Sequence, residues 1–205
     1  GLTPAAYMEK YGIFDSPTTA AHCVWLEDED FDILKRHGVT VACCPASNLK
    51  LASGYANVPK MLESGINVAL GTDGAASNNN LNIMQDMYLF GVVYKGYFRD
   101  PTIITPAEVL HAATRAGALS QGRDDSGLLA VGMRADLCVL NTDTPQFTPM
   151  TSAACNVVYA AQGADVRMTM VDGEVLYRDG EFKTIDIEKV KAEVQRRTDS
   201  ILSRL

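Results

Sequence analysis

Ile66-Asn-Val-Ala-Leu-Gly-Thr-Asp-Gly74 is the stretch from which the fold is read. A short, mostly apolar run (66–70) leads straight into a small-residue loop that carries one carboxylate, Asp73, between Thr72 and Gly74. The pattern occurs twice more upstream. Thr18-Thr-Ala-Ala-His-Cys-Val24 reads as a buried strand with His22 at its end, and Val39-Thr-Val-Ala-Cys-Cys44 as a second strand whose following turn holds Ser47 and Asn48. Between these two, residues 27–37 read as a helix with acidic residues in its first turn, Lys35-Arg36-His37 in its last and Gly38 just beyond, an order that suits the helix dipole. Residues 57–64 form a shorter helix closed by Gly65. Strand, loop and helix in repeated order, with strands apolar along nearly their whole length, describe a parallel α/β sheet buried on both faces. The polar residues cluster where the strands end, and in a (β/α)₈ barrel that edge carries the active site. Three units are too few to close a barrel, which typically takes about 250 residues, so the sheet is either open or part of a barrel.

Working outward, Thr3-Pro4 is an N-cap followed by proline at the first helical position, opening a helix that ends at Gly12. Helices are expected over 81–96, with Asn78-Asn79-Asn80 as the cap, and from Thr105-Pro106 to about residue 119. Past Gln121 the texture changes. Residues 127–140 and 166–171 read as strands, Val171-Asp-Gly-Glu174 as a hairpin turn into 175–177, and Asp179-Gly180 as another turn. The chain closes on a charged amphipathic helix over 185–205. The expected division is an α/β part over 1–121, a small β module over 122–184 and the terminal helix.

Composition sets the outer limits. The 205 residues are 47% apolar and 21% charged, an ordinary globular mixture, and no apolar run is long enough to span a bilayer. The net charge is −7, and basic residues such as Lys35-Arg36 and Arg196-Arg197 are paired within acidic surroundings. A basic face for displacing phosphate counterions is missing, so nucleic acid is not an expected partner. Five cysteines at uneven spacing, with no C-x-x-C, read as buried reduced thiols of a cytoplasmic protein. The chain opens on Gly-Leu-Thr-Pro, with no initiator Met or leader pattern, which suggests a piece of something longer.

Three stretches together carry a family resemblance: Ala20-Ala-His-Cys-Val24, Cys44-Pro-Ala-Ser-Asn-Leu-Lys-Leu-Ala-Ser-Gly54 and Asn67-Val-Ala-Leu-Gly-Thr-Asp-Gly-Ala-Ala-Ser-Asn-Asn79. They resemble the amidohydrolase superfamily, and within it the branch of 5'-methylthioadenosine/S-adenosylhomocysteine deaminases, which shades into the s-triazine chlorohydrolases. Gly132-Met-Arg-Ala-Asp-Leu-Cys-Val-Leu140 and Val171-Asp-Gly-Glu-Val175 resemble the superfamily's β-sandwich. The resemblance implies an α/β fold: the C-terminal part, about strands 6–8, of a metal-dependent (β/α)₈ TIM barrel, a β-sandwich segment and a terminal helix. The family's H-x-H and H-x-x-E elements would lie before Gly1, and none of His22, His37 and His111 stands in such a pattern.

By the same resemblance Asp73 ligates a divalent metal and shuttles a proton from the attacking water, where its local pattern alone would read as a turn aspartate before glycine. Zinc is the expected metal, with iron possible, since nitrogen and oxygen donors select weakly between them. His22 is implied to hydrogen-bond the attacking water or the tetrahedral centre, and Ser47 and Asn48 either to bind substrate or only to bond the turn. The implied reaction is hydrolytic deamination of an adenosine-type substrate. The alternatives are a triazine or guanine substrate, or a non-catalytic half-protein that needs its N-terminal half. A homo-oligomer is expected. Relatives often carry histidine where Trp25 and Cys43 stand here; Trp25 is expected to narrow the pocket mouth and Cys43 to remove a polar group near it. His37 reads as a helix C-cap and His111 as a helix-surface or core residue, neither of them catalytic.

Overall fold

Thr3 starts the first helix, α1 (Pro4–Lys10), by accepting the Ala6 N–H on its hydroxyl, and Pro4 supplies the preset φ of the first turn. The computed structural model describes residues 1–205, and a 3₁₀ turn (Ile13–Asp15) leads from α1 into strand β1 (Thr19–Ala21). Helix α2 (Asp28–Arg36) has a capping box in which Glu27 and Asp30 exchange hydrogen bonds, and His37 sits at its C-cap as expected. Strand β2 (Thr40–Cys43) is followed by α3 (Pro45–Lys50) and α4 (Val58–Glu63), then by strand β3 (Val68–Leu70). The strands are parallel in the order β1-β2-β3, with Ala21 opposite Ala42 and Ala42 opposite Ala69. Because both pairings are parallel, all three carboxyl ends lie on the same edge.

Beyond β3 come α5 (Ala75–Asn78), α6 (Ile83–Phe98), α7 (Pro106–Ala113) and α8 (Arg115–Ser120). The helix expected to run unbroken to residue 119 is two helices, because Thr114 leaves helical geometry at φ −127° and ψ −86°. Asn82, rather than Asn78–Asn80, caps α6 by accepting the Met84 N–H. Side chains on β2, β3, α4, α6 and α7 form the core: Val41, Val58, Met61, Val68, Phe90, Tyr94 and Val109 are all buried. Each such side chain contributes on the order of 1.5–3 kcal/mol through its removal from water. β2 and β3 match the expected two-sided burial, whereas Thr19 and Ala21 of β1 are exposed. α9 (Ala153–Tyr159) packs on α6 and α7 and places Val158 in the same core; a helix here was not expected in a region that reads as all-β.

The chain divides into two compact units, one made of residues 1–133 and 142–163 and the other of 134–141 and 164–205. The second unit is an antiparallel meander of β4 (Leu137–Leu140), β5 (Val166–Val171), β6 (Glu174–Arg178) and β7 (Glu181–Phe182), followed by α10 (Ile187–Leu202). Asp172-Gly173 and Asp179-Gly180 both have positive φ at both positions, as the tight hairpin turns that match strand twist require. Of the strand expected over 127–140, only the last four residues form one.

Candidate functional site

Each strand of the parallel sheet hands its chain to a loop at the carboxyl edge, and two of these exits are strained. His22 (φ 68°) and Cys23 (φ 47°) follow β1, and Asp73 (φ 61°) follows β3, all in the left-handed region that L-residues other than glycine seldom adopt. Such strain persists only where surrounding structure holds it, and it concentrates at functional sites. Here the His22 N–H is held by the Ala42 carbonyl at 2.9 Å, which extends the sheet ladder by one bond and aims the imidazole across the edge.

Asp73 is the best-anchored group at that edge. Its Oδ2 accepts hydrogen bonds from Ser47 Oγ at 2.6 Å and Ser77 Oγ at 2.8 Å, and its Oδ1 accepts the Gly74 N–H at 2.7 Å. The Ser47 hydroxyl first, then the Gly74 amide and Ser77 hydroxyl, hold the carboxyl down at a pKa of about 2. Asp73 is therefore anionic throughout the neutral range. A carboxylate has about four lone-pair positions, so these three donors leave room for one further partner. His22 Nε2 stands 3.9 Å from Asp73 Oδ2.

The other imidazole nitrogen, Nδ1, lies 2.9 Å from Asn48 Oδ1. An amide oxygen can only accept, so Nδ1 carries a proton, and Nε2 is the nitrogen on the Asp73 side. The Asn48 Nδ2, buried, has no partner. Ser47 and Asn48 lie in α3 rather than in the turn expected for them, and both are buried. The helical turn, opened by Pro45, directs two consecutive polar side chains to different targets, Asp73 and His22. The four residues singled out in the sequence thus line one cleft of about 390 Å³ together with Trp25, whose indole is 81% exposed, and Leu51.

Two residues at this edge were not singled out. Ser77 stands four positions after Asp73, and its only sequence signal is a small polar residue in the first turn after a Gly-Ala-Ala run. Asp86, on α6 and 1% exposed, accepts the Ala46 N–H at 3.0 Å and an Asn78 amide hydrogen at 3.2 Å; Asn78 also donates to the Thr72 carbonyl at 2.7 Å. Cys43, by contrast, does not border the cleft. It is fully buried with Sγ 3.0 Å from Tyr94 Oη, so its expected effect near the pocket mouth is not what the structure places there. Burial pushes the Cys43 thiol up to about 12 and the Cys23 and Cys44 thiols to about 11, so all three are protonated near neutral pH. Only Cys43 and Cys44 are buried; Cys138 and Cys155 are exposed, against the expectation for the set. His37 bonds Glu9 at 2.8 Å, and His111 is exposed on α7; neither reaches the cleft.

The donor chemistry at the edge fits a cation in part. Asp73 offers an ionised oxygen with a free lone pair beside the His22 imidazole, while no cluster of three or more histidine, cysteine, aspartate or glutamate side chains that could hold a metal exists in the chain. A catalytic zinc takes three protein ligands, so this chain offers one part of such a set.

The chain is 42% identical over 204 residues to a 5-methylthioadenosine/S-adenosylhomocysteine deaminase of Dictyoglomus thermophilum, covering 100% of this chain and 48% of that protein. It therefore spans about half the length of the curated relatives it matches. Among solved structures, an adenosine deaminase from Xanthomonas campestris with bound zinc superposes with a TM-score of 0.95 at 29% identity, over 99% of this chain and 46% of that one. The atrazine chlorohydrolase TrzN from Arthrobacter aurescens, complexed with zinc, superposes with a TM-score of 0.88 at 28% identity, over 96% of this chain and 44% of that one. The pattern of the Amidohydrolase family matches residues 2–176. A match that begins before the first helix and runs through the parallel sheet, its strained exits and most of the antiparallel meander makes this chain a member of the amidohydrolase family.

Proposed function

We propose that this chain is the C-terminal part, about strands 6–8 with sandwich segment and terminal helix, of a (β/α)₈-barrel deaminase acting on an adenosine-type nucleoside. The convergence of an ionised Asp73, its two serine donors and the Nδ1-protonated His22 on one edge carries this reading. The identity to a named deaminase along the whole chain supports the substrate class. Asp73 would hold a divalent cation, zinc before iron, with the remaining ligands outside this chain. When bound, the cation lowers the pKa of a water and supplies the nucleophile.

The chain's own residues do the rest. Asp73 takes the proton released as water attacks the amino-bearing carbon. Asp73 then passes that proton on to the departing ammonia. His22 Nε2 faces the same point and hydrogen-bonds the attacking water or the oxygen left on the tetrahedral carbon. Asn48 holds the His22 ring through Nδ1, and Ser47 keeps Asp73 aimed. Alone, the chain holds too few ligands to turn over substrate.

The test compares Asp73→Asn and His22→Asn in the complete enzyme, reading metal content and hydrolysis of S-adenosylhomocysteine, methylthioadenosine, adenosine and a triazine. Asp73→Asn should lose metal and at least about 10²-fold in rate, the size general-base catalysis supplies. His22→Asn should slow turnover while keeping the metal. Near-normal turnover in Asp73→Asn would sink the assignment, and exclusive activity on the triazine would overturn the substrate class.

A further inference from the structure

We propose that Asp86 is a positioning residue that sets the Ser47–Asp73–Ser77 geometry by holding a neighbour of each of the three: the Ala46 backbone N–H and the Asn78 side chain directly, and the Thr72 carbonyl through Asn78. The proposal rests on the reading of Asp73 as the centre of the site. Each group in the Asp86 network lies one residue from a member of that trio. Asp86 Oδ1 accepts from Ala46, the residue before Ser47. Oδ2 accepts from Asn78, the residue after Ser77, and Asn78 passes its second hydrogen to the carbonyl of Thr72, the residue before Asp73. One carboxylate on α6 therefore bridges the first turn of α3, which follows β2, and α5 with the loop that follows β3, the two segments whose separation decides whether Ser47 can reach Asp73.

The chemistry at Asp86 argues against simple packing. Burying a carboxylate is costly unless it is hydrogen-bonded, and a well-packed apolar side chain would fill such a position at lower cost. Both partners of Asp86 are neutral N–H donors, and burial pushes its pKa up while those donors pull it down. What the carboxylate provides that an apolar residue does not is a pair of acceptors at fixed spacing, one for each of these segments. A shift of about 1 Å in a reacting group can cost on the order of 10²-fold in rate, so fixed spacing here has a direct effect on Asp73.

The experiment uses the complete enzyme with Asp86→Asn, Asn78→Ala, their double variant, and Asp73→Asn as reference. An asparagine at 86 can still accept from Ala46, but it presents a donor to the Asn78 donor. The expected result is a loss of about tenfold or more in kcat per folded molecule with KM within about threefold, measured well below the melting temperature. Amide hydrogen exchange should speed up over residues 72–79 and stay slow over 45–50. Asn78→Ala should reproduce the loss, and combining the two should add little, as expected for residues that act through one link. Wild-type kcat in folded Asp86→Asn overturns the proposal, as does a lowered melting temperature with an unchanged rate per folded molecule, or losses that multiply in the double variant. Should Asp86→Asn fail to fold, Asn78→Ala carries the same rate and exchange expectations with the charge left in place. Full activity in Asp73→Asn would instead remove the reading beneath, whatever the Asp86 variants show.

Discussion

An imidazole has two nitrogens and, when neutral, one proton, so a histidine can present a donor or an acceptor to a site only if something settles which nitrogen is protonated. Asn48 does that for His22. Asn48→Leu, close in volume, removes the acceptor and leaves the ring free to exchange tautomers. Nitrogen NMR of His22 should then change from a single Nδ1-protonated form to a mixture, and turnover in the complete enzyme should fall by about tenfold, at the lower end of what proton-transfer groups contribute. The same substitution deletes a buried amide nitrogen that has no partner, so the melting temperature should hold or rise. A single unchanged tautomer in the leucine variant would refute the clamp. At this scale legibility follows sequence distance. His22 and Asp73 are conspicuous because each is the first strongly polar residue after an apolar strand. Ser77 and Asp86 are not, because their meaning lies in what the folded chain brings to them. An aspartate in the first turn of α6 reads, from sequence, as a favourable partner of the helix dipole, and nothing local announces that it faces inward toward Ala46.

Helix starts were the most legible elements, since caps are written in adjacent residues: Thr3-Pro4, the Thr105-Pro106 pair with Glu108, and Asn57 each begin a helix where their hydroxyl or amide accepts a backbone N–H. The Asp-Gly turns of the meander were equally plain. Strand extents were not. The apolar stretch from Gly127 to Leu140 yields a strand only where β5 is present to pair with it, and before that point Gly127 (φ 82°) and Gly132 (φ 88°) bend the chain away. α9 falls inside the span 122–184 that reads as a β module, and its deciding signal is the single cap Ser152. Gly127 also supplies a test at this scale. A Cβ added there would lie 2.7 Å from Arg115 Cα and 3.0 Å from the Thr114 carbonyl, backbone atoms at the start of α8 that have no side-chain freedom to yield. Gly127→Ala should therefore destabilise by about 2 kcal/mol or more, from the left-handed φ and the clash together. Chemical denaturation reads this directly, and a loss below about 0.5 kcal/mol, the range of ordinary surface substitutions, would show that the loop gives way.

The molecule as a whole leaves much apolar surface uncovered. β1 and β3 each pair with one neighbour, Thr19 and Ala21 are exposed, α10 buries none of its residues, and Trp25, Leu129 and Val131 are strongly exposed. Unpaired strand edges and contiguous apolar surface promote association. The isolated chain should accordingly form dimers or larger species, and light scattering with a thermal melt checks this: a monodisperse monomer that melts cooperatively would count against it. The alternation of strand and helix, and the shift to β after Gln121, were readable along the chain because both are written in hydrophobic periodicity. The path between the two compact units was not. The chain completes most of the first unit, leaves to lay down β4, returns to add the segment bearing Phe147 and Val158 to the first unit's interior, and leaves again for the rest of the meander. Neither unit is thus an unbroken length of the gene. A recombination crossover at any one codon between 134 and 163 would sever an inner part of one unit or the other, so the pair is inherited, duplicated or lost together.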